Sequence, residues 1–262
     1  MAAREPVDPA TLLTGLVAGP LTASSLPFAA APLIHDPLEP PVDGATAWAR
    51  YATAKHRWLA ERGARIQPVA LTQTGQRLVS EVAVLMKHEG RALALPVALV
   101  ADLSRKTPNP GAWTSVRIYH GLWPLIGGHR IRGPLVPVDP GLKMGNPIAA
   151  YHAALRAGDL EAIVGVFDPQ GYAREPSGGP DGFFRGPAGL RQFYGDLFSS
   201  GAGIHLEYCT FTDDGVRGAL EYQCVAWGRT PVPPQAGVAV YERAKSGKLL
   251  AARIYDDIAP AP

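Results

Sequence analysis

The chain repeats itself, and that constrains its fold more than any other feature. When its two halves are laid together, Ala18-Gly19 falls on Ala157-Gly158 and Asp36-Pro37 falls on Glu175-Pro176. Further along, Gly75 and Glu81 match Gly215 and Glu221, Gly90-Arg91 matches Gly228-Arg229, and Pro96 matches Pro234. Arg117-Ile118-Tyr119 closes the first half as Arg253-Ile254-Tyr255 closes the second. The separation drifts by only a few residues over the whole length, so short loop insertions account for the difference. One architecture is therefore written twice, and each copy can be read through the other.

The second copy is the easier to read. Ile148, Tyr151, His152 and Leu155 share a helical face, and Gly158 stops that helix. Asp159 is placed to cap a second helix carrying Ile163, Val166 and Phe167, after which a short strand ends on Glu175, held extended by Pro176. A third helix follows a glycine, with Leu190, Phe193, Tyr194, Leu197 and Phe198 along one stripe. Four strands are expected next, over 206–212, 216–227, 236–243 and 249–256, parted by Asp-Asp-Gly, a Pro-rich link and Lys-Ser-Gly-Lys. The first copy yields helices over 9–18 and 21–29, a strand over 33–37, a third helix through Trp48, Tyr51 and Leu59, and strands over 67–72, 78–87, 92–103 and 115–122. The expected domains are 1–124 and 144–262, joined by a Pro/Gly-rich, semi-extended linker over 125–143. The fold class is α+β, with about three helices on one face of a curved antiparallel sheet in each domain.

With 47% hydrophobic and 18% charged residues the chain can bury a full core. A net charge of +2 without a dense Lys/Arg run argues against nucleic acid as a partner. No window is apolar for long enough to span a membrane. Glu5 and Asp8 spoil a signal peptide's basic start and Pro20 interrupts the apolar run, so 9–31 reads as folded. Two cysteines, Cys209 and Cys224, do not make a disulfide framework and read as buried thiols of a cytoplasmic protein. The seven histidines lack metal-ligand spacing, and neither a phosphate-cradling glycine loop nor a nucleophile elbow occurs, so no metal and no cofactor is expected.

From about Asn146 to Pro260 the sequence resembles the SnoaL-like polyketide cyclases and ketosteroid isomerase, within the nuclear-transport-factor-2-like superfamily. The resemblance rests on Tyr-x-Ala-Ala-Leu-x-Ala-Gly-Asp-Leu at 151–160, the Glu175-Pro176 pair, Arg-Gly-Pro-Ala-Gly-Leu-Arg-Gln-Phe-Tyr at 185–194, and Ala-Arg-Ile-Tyr-Asp-Asp at 252–257. It implies that each sheet curls into a cone whose mouth is a pocket. It also implies pairing of the two domains within one chain, to which a homodimer can be added, with independent beads as the alternative.

Under that resemblance Glu175 matches the isomerase's catalytic carboxylate and Tyr151 its oxyanion-binding tyrosine. The isomerase's second oxyanion donor, an aspartic acid, falls at about Ala239 and is missing, which disfavours a steroid-type isomerase. Asp256 matches the pocket aspartate of the SnoaL-like cyclases. Since adjacent strand residues face opposite ways, Asp256 is expected inside and Asp257 in solvent. Glu207 offers a second carboxylate to pair with Glu175 for opening an epoxide. Glu221 and its counterpart Glu81 lie within apolar strands as further acids, or as structural partners of Arg253 and Arg117. Tyr222 and Trp227, with Phe183 and Phe184, are candidate pocket walls, or plain core and rim. The first-copy equivalents are Asp36, Glu81 and His120, but Leu12 replaces the phenol of Tyr151.

The expected function is a cofactor-independent acid/base enzyme, of cyclase, isomerase or lyase type, acting on a small apolar metabolite such as a polyketide. An epoxide-opening cyclase and a non-catalytic ligand-binding or scaffold protein stand as alternatives. The second copy is the expected worker.

Overall fold

In the computed structural model, which describes residues 6–105, 110–176 and 182–258, both halves build the same sheet. The chain divides into two compact units, Met1–His120 and Gly121–Pro262. The first contains helix α1 (Ala10–Ala18), strands β1 (Leu33–His35) and β2 (Val42–Asp43), helix α2 (Gly44–Glu61), and strands β3 (Arg65–Gln73), β4 (Arg77–His88), β5 (Arg91–Leu103) and β6 (Trp113–Tyr119). The second contains a one-turn helix α3 (Trp123–Ile126), α4 (Ile148–Ala157), α5 (Leu160–Val166), β7 (Phe167–Arg174), β8 (Phe183–Arg185), α6 (Gly186–Leu197), β9 (Ile204–Asp213), β10 (Arg217–Trp227), β11 (Thr230–Arg243) and β12 (Leu249–Asp256).

Strand order is β2-β1-β6-β5-β4-β3 in one sheet and β8-β7-β12-β11-β10-β9 in the other, the same path taken twice. Register repeats as well: Glu81 stands between Ala70 and Ala98, as Glu221 stands between Thr210 and Val238. The chain is a tandem of two α+β units that share one strand order. Each sheet is mixed, because its antiparallel meander is extended by one parallel pairing, β1 on β6 and β7 on β12. That pairing lays His35 beside Arg117 and Arg174 beside Arg253, so the strand end bearing Asp36 or Glu175 lies next to the last strand.

Local signals explain most of the elements. Gly158 ends α4 in the left-handed region at φ 68°, and the Asp159 side chain accepts the Ala162 N–H at the start of α5. The expected helix over 21–29 is corrected to a single 3-10 turn, Ala23–Ser25. There the Thr22 hydroxyl lies within hydrogen-bond range of the Ser24 and Ser25 hydroxyls, and Ser25 Oγ donates to the Thr22 carbonyl. Such side chains compete with helical backbone bonding, and Pro27 has no N–H to continue a helix. Strand β11 is longer than expected, running through the Pro-rich 231–234.

Residues of the 125–143 stretch pack on the second unit. Arg132 O accepts from Ala236 N–H at 2.8 Å, Val136 O accepts from Gln223 Nε2 at 3.0 Å, and Asp139 N–H donates to Tyr208 O at 2.8 Å. Among the described residues no helix is long and apolar enough to cross a membrane. Cys209 and Cys224 are both buried.

Candidate active site

Between the helices and the concave face of the second sheet lies a cavity of about 430 Å³. Its apolar walls come from Leu155 of α4, Phe193 and Leu197 of α6, Leu206 of β9 and Ile254 of β12. Tyr151, Glu175, Asp256, Tyr222 and Trp227, all singled out from sequence, line this one cavity. No lysine or arginine is among the described lining residues, whereas Glu175, Asp256 and Asp257 bring three carboxyls to it.

Asp256, the last residue of β12, is buried, and its Oδ2 accepts a 2.5 Å hydrogen bond from the Tyr222 hydroxyl. Desolvation pushes its pKa up to about 6, against the opposing effect of that hydrogen bond and of one from the Ile258 backbone. It is therefore partly protonated near neutrality, as a proton donor and acceptor must be. Tyr222 and Asp256 meet because Gly237 lies between them, paired with Tyr222 on one side and Asp256 on the other. A β-carbon there would stand 2.7 Å from the Tyr222 ring and 2.9 Å from Asp256 Cβ. Sequence reading missed Gly237, whose only signal is a glycine inside an apolar strand.

Tyr151 sits on the buried face of α4 with its ring edge-on to Phe167 and Tyr194. Its hydroxyl accepts from Tyr194 OH at 3.0 Å, which leaves its own O–H to donate elsewhere. Burial raises its pKa to about 12, offset in part by the Tyr194 bond, so the phenol stays neutral. Glu175 follows β7, and its backbone N–H donates to Gly182 O at 3.1 Å. It is half-buried at the cavity wall.

Other expectations are corrected. Glu207 is exposed, because its neighbour Leu206 faces the cavity and strand residues alternate. It therefore does not pair with Glu175 there. Glu221 is buried but is not among the lining residues; its Oε2 accepts from Thr210 Oγ1 at 2.6 Å. Phe183 and Phe184 lie on β8 and do not line the cavity either.

Asp257 is not solvated. Lying beyond the strand end, it is free of strand alternation; it is buried, lines the cavity and bonds to His129 and to the Arg130 N–H. His129 and Trp123, also lining, were missed because the stretch they belong to read as linker or its edge. Among the described residues no three His, Cys, Asp or Glu side chains converge as a metal site.

The first unit is different. Its corresponding space shrinks to about 20 Å³, lined by Lys55, Trp58 and His120 among others. Asp36 is buried with Lys55 Nζ at 2.6 Å and the Tyr51 hydroxyl at 3.0 Å from its Oδ2. Burial, the largest single influence, would raise its pKa, but the charges of Lys55 and His120 together with hydrogen bonds from Lys55 and the Leu38 backbone outweigh it and hold it at about 2. Val82 and Val97 occupy the paired positions that Tyr222 and Gly237 hold in the second unit, and Glu81 is fully buried.

Residues 148–252 match the family model described as SnoaL-like domain. This stretch is a SnoaL-like domain. No curated protein matches the chain. Solved structures similar to it include a candidate polyketide cyclase of Sinorhizobium meliloti, at 17% identity and TM-score 0.36, over 42% of this chain and 94% of that one. The epoxide hydrolase/cyclase-like enzyme SalBIII, described in pyran ring formation in salinomycin, aligns at 20% identity and TM-score 0.35 over 42% and 86%. An NTF2-like protein of unknown function from Cytophaga hutchinsonii aligns at 14% and 0.34 over 45% and 94%. The match to the SnoaL-like domain begins at the first residue of α4, so Trp123 and His129 reach its cavity from outside the matched residues.

Proposed function

We propose that the SnoaL-like domain is a cofactor-independent acid/base enzyme for a small, uncharged, largely apolar substrate bearing a carbonyl. The observation that carries this reading is Asp256: a buried carboxyl with a pKa of about 6, fixed by Tyr222, in a cavity that also presents the phenol of Tyr151. Glu175 removes a proton from the carbon beside the carbonyl. The electron pair moves onto the carbonyl oxygen, where Tyr151 O–H donates to the developing oxyanion. Asp256 delivers its proton at the second position, and the result is isomerisation, ring closure or elimination according to the substrate. The carboxyl-rich lining disfavours anionic substrates, and the aromatic and aliphatic walls favour flat or greasy ones.

The test uses 2-tetralone, an apolar ketone with acidic protons beside its carbonyl, and follows exchange of those protons in deuterated water by NMR. The wild type is expected to accelerate exchange. Glu175→Gln is expected to lower the rate about 100-fold or more, the usual range for losing a general base, with a comparable loss in Tyr151→Phe. Acceleration that survives both substitutions refutes the assignment. Binding of 2-tetralone without acceleration supports the alternative of a ligand-binding protein.

A further inference from the structure

The stretch leading into the SnoaL-like domain brings a histidine to the pocket, already braced by a carboxylate. We propose that His129, positioned by Asp257, is a second proton-transfer residue of this site and that it acts on a hydroxyl group of the substrate. The inference rests on the pocket being a small-molecule site, as read above, and adds a hydroxyl to the substrate class.

Both Asp257 oxygens are committed. Oδ2 accepts the Arg130 N–H at 2.6 Å and Oδ1 lies 3.1 Å from His129 Nδ1. With a side chain only 6% exposed, Asp257 is a fixed acceptor beside a ring nitrogen that serves it by donating. The neutral imidazole then carries its proton on Nδ1 and its lone pair on Nε2. The Trp123 ring stands against the imidazole at a centroid distance of 5.1 Å and a tilt of 34°, limiting ring rotation.

The approach of the segment is also built in. A β-carbon on Gly121 would lie 3.1 Å from Pro176 O and 3.2 Å from Asp256 O, both backbone atoms, so the chain passes close to both the Glu175 and Asp256 strand ends. His129 itself is 36% exposed, at the boundary between cavity and solvent. Besides His129, the ionisable groups among the described lining residues are the carboxyls of Glu175, Asp256 and Asp257 and the phenols of Tyr151, Tyr222 and Tyr241, and none of them is a cation.

The chemistry balances without a further reagent. The Nε2 lone pair forms a bond to the hydroxyl proton while the O–H electron pair stays on the substrate oxygen. Asp257 neutralises the imidazolium that results, and the reverse step returns the proton to product or water. A carboxylate behind a histidine serves to fix tautomer and orientation in this way.

Two ligands of the same shape test it: 2-naphthol, which has the hydroxyl, and 2-methylnaphthalene, which lacks it. Their binding to the full chain is measured by fluorescence titration, and the His129 ring nitrogens are followed by 15N NMR. The wild type is expected to bind 2-naphthol about tenfold more tightly, the value of one desolvated hydrogen bond. His129→Gln should erase that preference, so that 2-naphthol binds no more tightly than 2-methylnaphthalene.

Asp257→Asn should move the His129 proton from Nδ1 toward Nε2 in the nitrogen spectrum, a change that loss of packing alone would not produce. A preference untouched by His129→Gln, or an unchanged tautomer in Asp257→Asn, overturns the proposal while leaving the 2-tetralone result standing. Failure of the wild type to bind either naphthalene overturns the pocket reading and this inference together.

Discussion

Asp256 carries both the proposed chemistry and a stability cost, and the two can be separated by pH. Its pKa is about 6 in the fold, against 3.8 for the ordinary carboxyl. Below pH 3.8 the group is neutral in folded and unfolded chains alike, so its contribution is fully present. As pH rises toward 6 the unfolded chain releases the proton first, and by pH 8 a penalty of about 3 kcal/mol is in force. Asp256→Asn is never charged, so it should unfold at higher urea than the wild type at pH 8 and at nearly the same urea at pH 3.5. An identical gap at both pH values would show that desolvation is not what perturbs the group. From sequence, Asp256 was found because a resemblance pointed to it. Its hydrogen bond from Tyr222 was invisible, since the two residues are far apart in the chain and meet only across two strand pairings.

At the level of elements, β10, β11 and β12 hold the site through one missing side chain. Gly237→Ala introduces a methyl group where a Tyr222 ring carbon is 2.7 Å away, so the ring must leave Asp256 or the strands must part. The substitution should cost about 1–3 kcal/mol, the range for overfilling a packed core. It should also raise the Asp256 midpoint above its present value of about 6, because the Tyr222 bond is the largest of the influences that hold it down. A carbon-13 titration of the Asp256 carboxyl measures this, and an unmoved midpoint would contradict the role given to Gly237.

Strand-level reasoning succeeded where periodicity was strong and failed at ends. The expected bounds 249–256 agree with those of β12. Alternation placed Asp257 in water, but pleating stops at Asp256 and the next residue turns back to the cavity. Glu207 failed differently. It drew attention as a second carboxylate for Glu175, while the periodicity that sends Leu206 inward sends Glu207 out.

On the scale of the whole molecule, the duplication was legible because paired Gly, Pro and Arg positions survive in both halves, and the common strand order and register confirm it. What the repeat concealed is how unlike the two interiors are. One holds a cavity of about 430 Å³ and the other about 20 Å³. The ion pair of Lys55 and Asp36 makes the first interior dependent on charge balance. Asp36, held at about 2, contributes stability that is present above pH 3.8 and lost as pH falls through 2. Lys55→Met leaves that carboxylate buried without its cation. It should destabilise the first unit by about 3–5 kcal/mol at pH 7, shrinking in acid as Asp36 takes up a proton. Circular-dichroism melts at pH 7 and pH 4 measure the difference, and equal losses at both would mean that Lys55 contributes bulk and not charge.

Lys55 thus does for Asp36 what no residue lining the other cavity does for Asp256: it supplies a permanent counter-ion. An acid matched with an ammonium group stays ionised across the whole physiological range and has nothing to give away. Reviving proton traffic in the N-terminal half would therefore take more than carving out volume. The cation would have to go together with the bulk, and a phenol like Tyr222 would have to arrive in the place of Val82.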